Sequence, residues 1–221
     1  IGYFTNEFDN MTSADWAPYE DVIKRWDLQK KDPSAALSEP VKPITWWIEN
    51  TTPVEWRDTI RDAVLAWNSS FEKAGFKNAI EVKVQPDDAN WDAGDINYNV
   101  LRWTASPRPP FGGYGPALAN PLTGEILGSD IMLEYVFMKN RWMYDTLYTQ
   151  GAATLQSSPS SSELHCSLGH SIQENMLLAK GLGTGASIED KEILRQGLTQ
   201  LVLHEVGHTL GLNHNMKSSI L

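Results

Sequence analysis

Between Leu201 and Leu221 the chain reads LVLHEVGHTLGLNHNMKSSIL, and three of its five histidines fall inside that stretch, at 204, 208 and 214. His204 and His208 are four residues apart, so on a helix they share one face, one turn from each other. Both imidazoles can then reach a single ion. Gly211 can adopt positive φ, which ends a helix and turns the chain back. His214, three residues later, can swing in as a third ligand. Three neutral imidazoles that leave a fourth position for water are the donor set of a catalytic zinc site.

Glu205 stands beside the first of these histidines without being a ligand itself. From there it can act as general base, taking the proton of a water that attacks a carbonyl and returning it to the leaving amine. HExxH alone arises by chance in fewer than about one in a hundred chains of this length and composition. The added Gly and third His bring that to the order of one in a hundred thousand. The plainer alternative is a set of surface or core histidines on an amphipathic helix.

At 221 residues the chain is long enough for one sizeable core. Its formal charge is −10, and its basic residues are scattered, so no nucleic-acid surface is expected. One cysteine, Cys166, excludes an internal disulfide. No apolar run approaches the roughly twenty residues of a membrane span. The nine tryptophans point first to bulky core packing and second to an aromatic sugar- or peptide-facing surface. There is no initiator Met, and Ile1 opens what reads as a strand, IGYFT, so a piece of a longer parent chain is expected.

Residues 1–42 read as an opening strand with wrapping segments, and 43–221 as the main domain. KPITWWIEN (42–50) has the β-branched and aromatic content of a strand. Thr52-Pro53-Val54-Glu55 has the capping-box pattern with Pro at the first helical position. Apolar residues then recur from Trp56 to Ala74 with helical spacing, predicting one helix of about twenty residues ended by Gly75. AIEVKVQ (79–85) alternates as a strand with one buried face, and INYNVLRWTA (96–105) reads as another.

SPRPPFGGYG (106–115) is too rich in Pro and Gly for regular structure. GPALANPLTGEILGSDIML reads as two strands around the turn NPLTG, and Pro116 marks the first as an edge. Helices are expected over 136–148 and 167–180, with a loop over 151–163. A cap at Ser187–Asp190 leads into a long helix carrying the histidine motif.

HEVGHTLGLNH matches the extended zinc motif HExxHxxGxxH of the metzincin metalloproteases. The segments WDLQKKDPSAALSEPVKPITWWIE, AWNSSFEKAGFKNAIEVKV, INYNVLRW, NPLTGEIL and HEVGHTLGLNHNMKSS further resemble the metzincin-like domain of large bacterial exported zinc proteases. The resemblance spans roughly residues 20–220. It implies an α/β (α+β) metzincin-like fold: a twisted mixed sheet with an antiparallel edge strand, a backing helix and an active-site helix. It also implies a zinc endopeptidase acting on peptides or proteins outside the cytoplasm. The edge strand matches Gly113–Asn120, which makes the backbone of Gly115 and Ala117 the expected substrate contacts. Metzincins carry a Met-containing turn below the zinc. Met216 follows His214 too closely to supply one, so the lower subdomain is expected to be missing from this chain.

Weaker candidates remain. His165 and His170, flanking Cys166, lie about 140° apart on a helix and do not share a face. Asp87, Asp88, Asp92 and Asp95 crowd one loop that could hold calcium, although a solvated acidic loop is the plainer reading. Asn10, Asn50 and Asn68 begin Asn-x-Ser/Thr triplets, which matter only in a eukaryotic secretory pathway. Two rival functions stand beside the endopeptidase. One is an inactive metzincin-like module that binds peptide or glycan, and the other is a zinc hydrolase of a non-peptide amide.

Overall fold

A computed structural model describes residues 2–106, 112–134 and 190–214. The helices expected over 136–148 and 167–180, the 151–163 loop, the His165–Cys166–His170 cluster and Met216 lie outside the described residues.

Among the described residues the first elements form a hairpin, β1 (Thr5–Asp9) paired antiparallel with β2 (Tyr19–Ile23). The expected opening strand thus begins later than IGYFT, while Tyr3 makes an isolated bridge to Leu212 instead. The main sheet follows: β3 (Ile44–Ile48), β4 (Ile80–Val84), β5 (Asn99–Thr104), β6 (Gly113–Tyr114), β7 (Ala117–Ala119) and β8 (Ile126–Glu134). Its order is β4-β3-β5-β8-β6, with β7 also on β8. The first three pairings are parallel, and β6 and β7 run antiparallel to β8, so the sheet is mixed with an antiparallel edge. The structure therefore has the metzincin-like sheet that the sequence implied.

Three helices are described: α1 (Val54–Leu65), α2 (Asn68–Lys73) and α3 (Asp190–Thr209). The long helix expected from 53 to 74 is broken at Ala66–Trp67. There the Trp67 indole N–H donates to the Leu203 carbonyl on α3 at 3.1 Å. Next to it the Asn68 amide bonds both backbone groups of Ile80, each at 2.9 Å. Two side chains anchored elsewhere bend the chain where apolar spacing alone would run on. Gly75, at φ +89°, closes α2 as expected. The capping box does not form: Pro53 itself is the N-cap, with no side-chain cap bond. Thr52 is buried, and its carbonyl accepts the Arg57 guanidinium at 2.8 Å.

Alternation along β3 buries Ile44, Trp46 and Ile48 on one face. Against them pack Ile60, Ala63 and Val64 of α1, Leu101 of β5, Ile131 and Leu133 of β8, and Leu198, Leu201, Val202 and Val206 of α3. Each fully buried side chain of this size contributes on the order of 1.5–3 kcal/mol. The backing helix and the histidine-bearing helix thus cover the same face of the sheet. Two of the tryptophans, Trp46 and Trp56, do sit in this core, whereas Trp16 is fully exposed.

Two strand expectations need correction. β4 is the outer strand, so its buried face fades along its length: Ile80 is buried and Val84 is 40% exposed. The Pro- and Gly-rich segment does contain a strand, β6, because β8 offers it an edge to pair with. No helix among the described residues is long and apolar enough to cross a membrane.

Candidate metal centre

Helix α3 carries His204, Glu205 and His208, and its core face fixes its rotation. Leu198, Leu201, Val202 and Val206 are buried under the sheet, so the two histidines emerge half-buried at the margin. Gly207 meets the ring of Trp67: a Cβ there would stand 3.0 Å from its Cζ2. The helix ends in a Schellman turn. The Gly211 amide donates to His208 O at 3.0 Å and the Leu212 amide to Gly207 O at 3.1 Å, with Gly211 at φ +94°. That turn reverses the chain and brings His214 back over the helix.

The three rings meet. His214 Nε2 lies 3.1 Å from Nε2 of His208 and 3.1 Å from Nε2 of His204. The candidate ligand atoms of the triad all fall within 4.8 Å of one another. Three nitrogens about 2.0–2.1 Å from a tetrahedral zinc would stand about 3.3 Å apart, so the donor set suits that ion.

The ring chemistry agrees. The His208 Nδ1–H donates to Leu212 O at 2.8 Å, which fixes the tautomer and leaves the Nε2 lone pair toward the centre. Burial lowers the pKa of His204 to about 4, aided by the charges of His208 and His214, and burial also lowers that of His208. Both rings are held in the neutral form that a metal requires.

Glu205 faces away from solvent, 1% exposed, toward the sheet edge. A Cβ on Gly113 would stand 2.9 Å from its Cγ and Oε1, and one on Gly115 3.5 Å from its Oε2. The Gly115 amide is turned to this carboxylate and favours its charged form, but burial dominates and raises the pKa to about 7. Among the described residues Oε1 has no hydrogen-bond partner. A buried carboxylate oxygen without a partner, on the residue that follows the first of three converging histidines, is an acceptor open to a proton donor.

Residues 186–221 match a family model described as Met-zincin. The chain resembles the metzincins. No curated protein and no solved structure matches it. The match covers the histidine-bearing segment, and together with the triad it supports a likeness to the metzincin zinc proteases at that coarse level.

The structure brings together His204, Glu205, His208 and His214, all read from the motif. It sets Gly115 beside Glu205, while Ala117 lies further along the same edge, opposite Ser129. Among the described residues the triad is the only group of three or more candidate metal ligands that converges. The Asp87–Asp95 loop instead forms local turns, with Asp92 accepting from Gly94 N and Asp95 from Asn97 N.

Sequence reasoning missed Gly113, whose lack of a side chain admits Glu205, although the FGGYG run was a visible signal. It also missed Phe4, whose ring lies 5.7 Å from that of His208, and Trp26, whose indole N–H donates to Thr209 O at 2.9 Å. Nothing in the local sequence around these two points to a helix some two hundred residues away.

Proposed function

We propose that the chain is a zinc-dependent endopeptidase domain, with His204, His208 and His214 as ligands and Glu205 as general base. The observation that carries this reading is the convergence of the three histidine Nε2 atoms, with Glu205, the residue after the first of them, buried against the β6 edge. Bound zinc would supply Lewis acidity, making a water more acidic and a carbonyl more electrophilic. Glu205 takes a proton from the attacking water on a carboxylate oxygen as the new C–O bond forms. It then delivers that proton to the amine nitrogen as the C–N bond breaks. Burial raises its pKa and so favours uptake of the proton in the first half of the transfer.

The substrate reading rests on sheet register. Gly112 O and Pro116 O accept from Glu134 N and Asp130 N of β8, so Gly113, Gly115 and Ala117 turn their backbone groups to the opposite edge. An extended peptide can add there as an antiparallel strand, held by main-chain groups of Gly115 and Ala117. Because the Gly115 amide faces Glu205, its carbonyl is the group offered to substrate. Peptides or proteins are therefore the proposed partners. An extracytoplasmic location is proposed on family resemblance alone.

Glu205→Ala should abolish cleavage of a quenched peptide library while about one zinc per chain remains bound. Undiminished cleavage by this variant would overturn the mechanism. Peptide binding without turnover by the parent would favour the inactive binding module.

A further inference from the structure

His204 and His208 sit on a helix clamped by the core, whereas His214 lies beyond the turn, exposed and outside any helix or strand. The chain that carries it is held from an unexpected direction. The Phe4 amide donates to Gly211 O at 2.8 Å, and the Asn213 amide donates to Gly2 O at 3.1 Å. Tyr3 and Leu212 thus form an antiparallel bridge directly before the third ligand.

The N-terminal segment is itself anchored. Lys24 N donates to Phe4 O at 2.9 Å, Arg25 N to Gly124 O at 2.9 Å, and Ile126 N of β8 to Arg25 O at 2.8 Å. A continuous run of hydrogen bonds therefore leads from the main sheet through residues 25–24 and 4–2 to residues 211–213.

We infer that Gly2–Phe4 is a positioning element of the metal centre: it holds Gly211–Asn213 in place and so delivers His214 to the other two ligands. This rests on the three histidines being metal ligands. The same segment touches the second ligand as well, because the Phe4 ring packs beside the His208 ring, and the Leu212 that Tyr3 bridges accepts the His208 Nδ1–H. Without the strand, the three residues after Gly211 would keep only the Schellman turn and local bonds such as His208 Nδ1–H to Leu212 O, and each residue left unordered would have to be fixed at the moment of metal binding. Phe4 and Gly2 act through the backbone and do not ligate.

The test compares the parent chain with Phe4→Ala, Phe4→Pro and a chain lacking residues 1–3. Phe4→Ala removes the ring but keeps the amide donor. Phe4→Pro removes both, so the difference between the two isolates the bond to Gly211. The shortened chain loses the Gly2 carbonyl and keeps the β1–β2 pairing.

Cobalt(II) is the probe. Its affinity is read by competition with a chromophoric chelator, and its geometry by the d–d absorption, at a temperature where near-UV circular dichroism shows every apo form folded. Phe4→Ala should bind within about threefold of the parent, and Phe4→Pro at least about tenfold more weakly than Phe4→Ala, with a weakened four-coordinate band. The shortened chain should also bind more weakly than the parent, and it decides the matter if Phe4→Pro does not fold. Equal affinity and equal spectra in Phe4→Pro and the shortened chain would overturn the inference while leaving the zinc reading intact. A folded parent that binds no cobalt would overturn the zinc reading, and this inference with it.

Discussion

Gly113 and Glu205 approach so closely that no methyl group fits between them. A Cβ built on Gly113 meets Cγ and Oε1 of Glu205 at 2.9 Å and Leu201 Cδ1 at 3.0 Å. The sheet edge and the carboxylate are thereby in direct contact, and neither can move without the other.

Gly113→Ala should therefore displace the carboxylate or lift β6 off the helix. Overpacking of this kind costs about 1–3 kcal/mol, and a misplaced base lowers turnover by about ten- to a hundredfold. Zinc content should stay unchanged. Unaltered peptide turnover in the variant would show that Glu205 tolerates the shift and that this contact does not set its position.

Metal removal gives a second check. Zinc held about 100-fold above its Kd should add about 2.7 kcal/mol to stability, or about 5–10 °C in Tm for a chain of this size. A strong chelator should reverse the gain, and His214→Ala should erase most of it. Calorimetric scans of parent and variant, each with and without zinc, decide this. A Tm that ignores zinc in the parent would argue against a closed site.

Gly211 holds φ +94°, and a Cβ there would collide with the Lys24 carbonyl. Gly211→Ala should cost about 2 kcal/mol or more from the strained backbone and the clash. It should also lower zinc affinity, because the turn it forms delivers His214. Chemical denaturation and a zinc titration read the two effects separately. A variant as stable as the parent would show that the chain can leave this conformation freely.

The motif made the candidate zinc ligands and the candidate base legible because helical spacing and a glycine stop are local properties, carried by eleven consecutive residues from His204 to His214. Strands were legible from the β-branched and aromatic content of KPITWWIEN, from alternation in AIEVKVQ and from Pro116 on an edge, whereas the mixed sheet came from the family resemblance. What escaped notice was set by partners distant in sequence. Trp67 and Asn68 break the long helix because they bond to Leu203 and Ile80. Phe4 and Trp26 reach the far end of α3, and no pattern along the chain encodes a contact of 183 positions.

Asp130 offers a test of pH dependence away from the metal. Its half-buried carboxylate accepts from Val100 N at 3.2 Å. Burial raises its pKa above the usual 3.8, against the pull of that amide and of Arg102. The folded state therefore binds this proton more tightly than the unfolded chain. The stabilising contribution is fully present below about pH 4 and lost as pH rises through the folded value. Asp130→Asn keeps an acceptor oxygen and removes the charge, so its Tm relative to the parent should rise between pH 4 and pH 7. A difference that stays flat with pH would show that the carboxylate is not strained.

The bridge from Tyr3 to Leu212 also bears on the order in which the molecule is made. Residues 2–4 find these hydrogen-bond partners only when the turn at Gly211 emerges, about two hundred residues later. Until then the Phe4 amide and the Gly2 carbonyl lack these partners, although Phe4 O can already accept from Lys24 N. Such a long-range closure is slow to form and late to complete. Metal capture then becomes a mark of finished folding, and a chain made only as far as Gly211 carries two of the candidate ligands on a helix without the third.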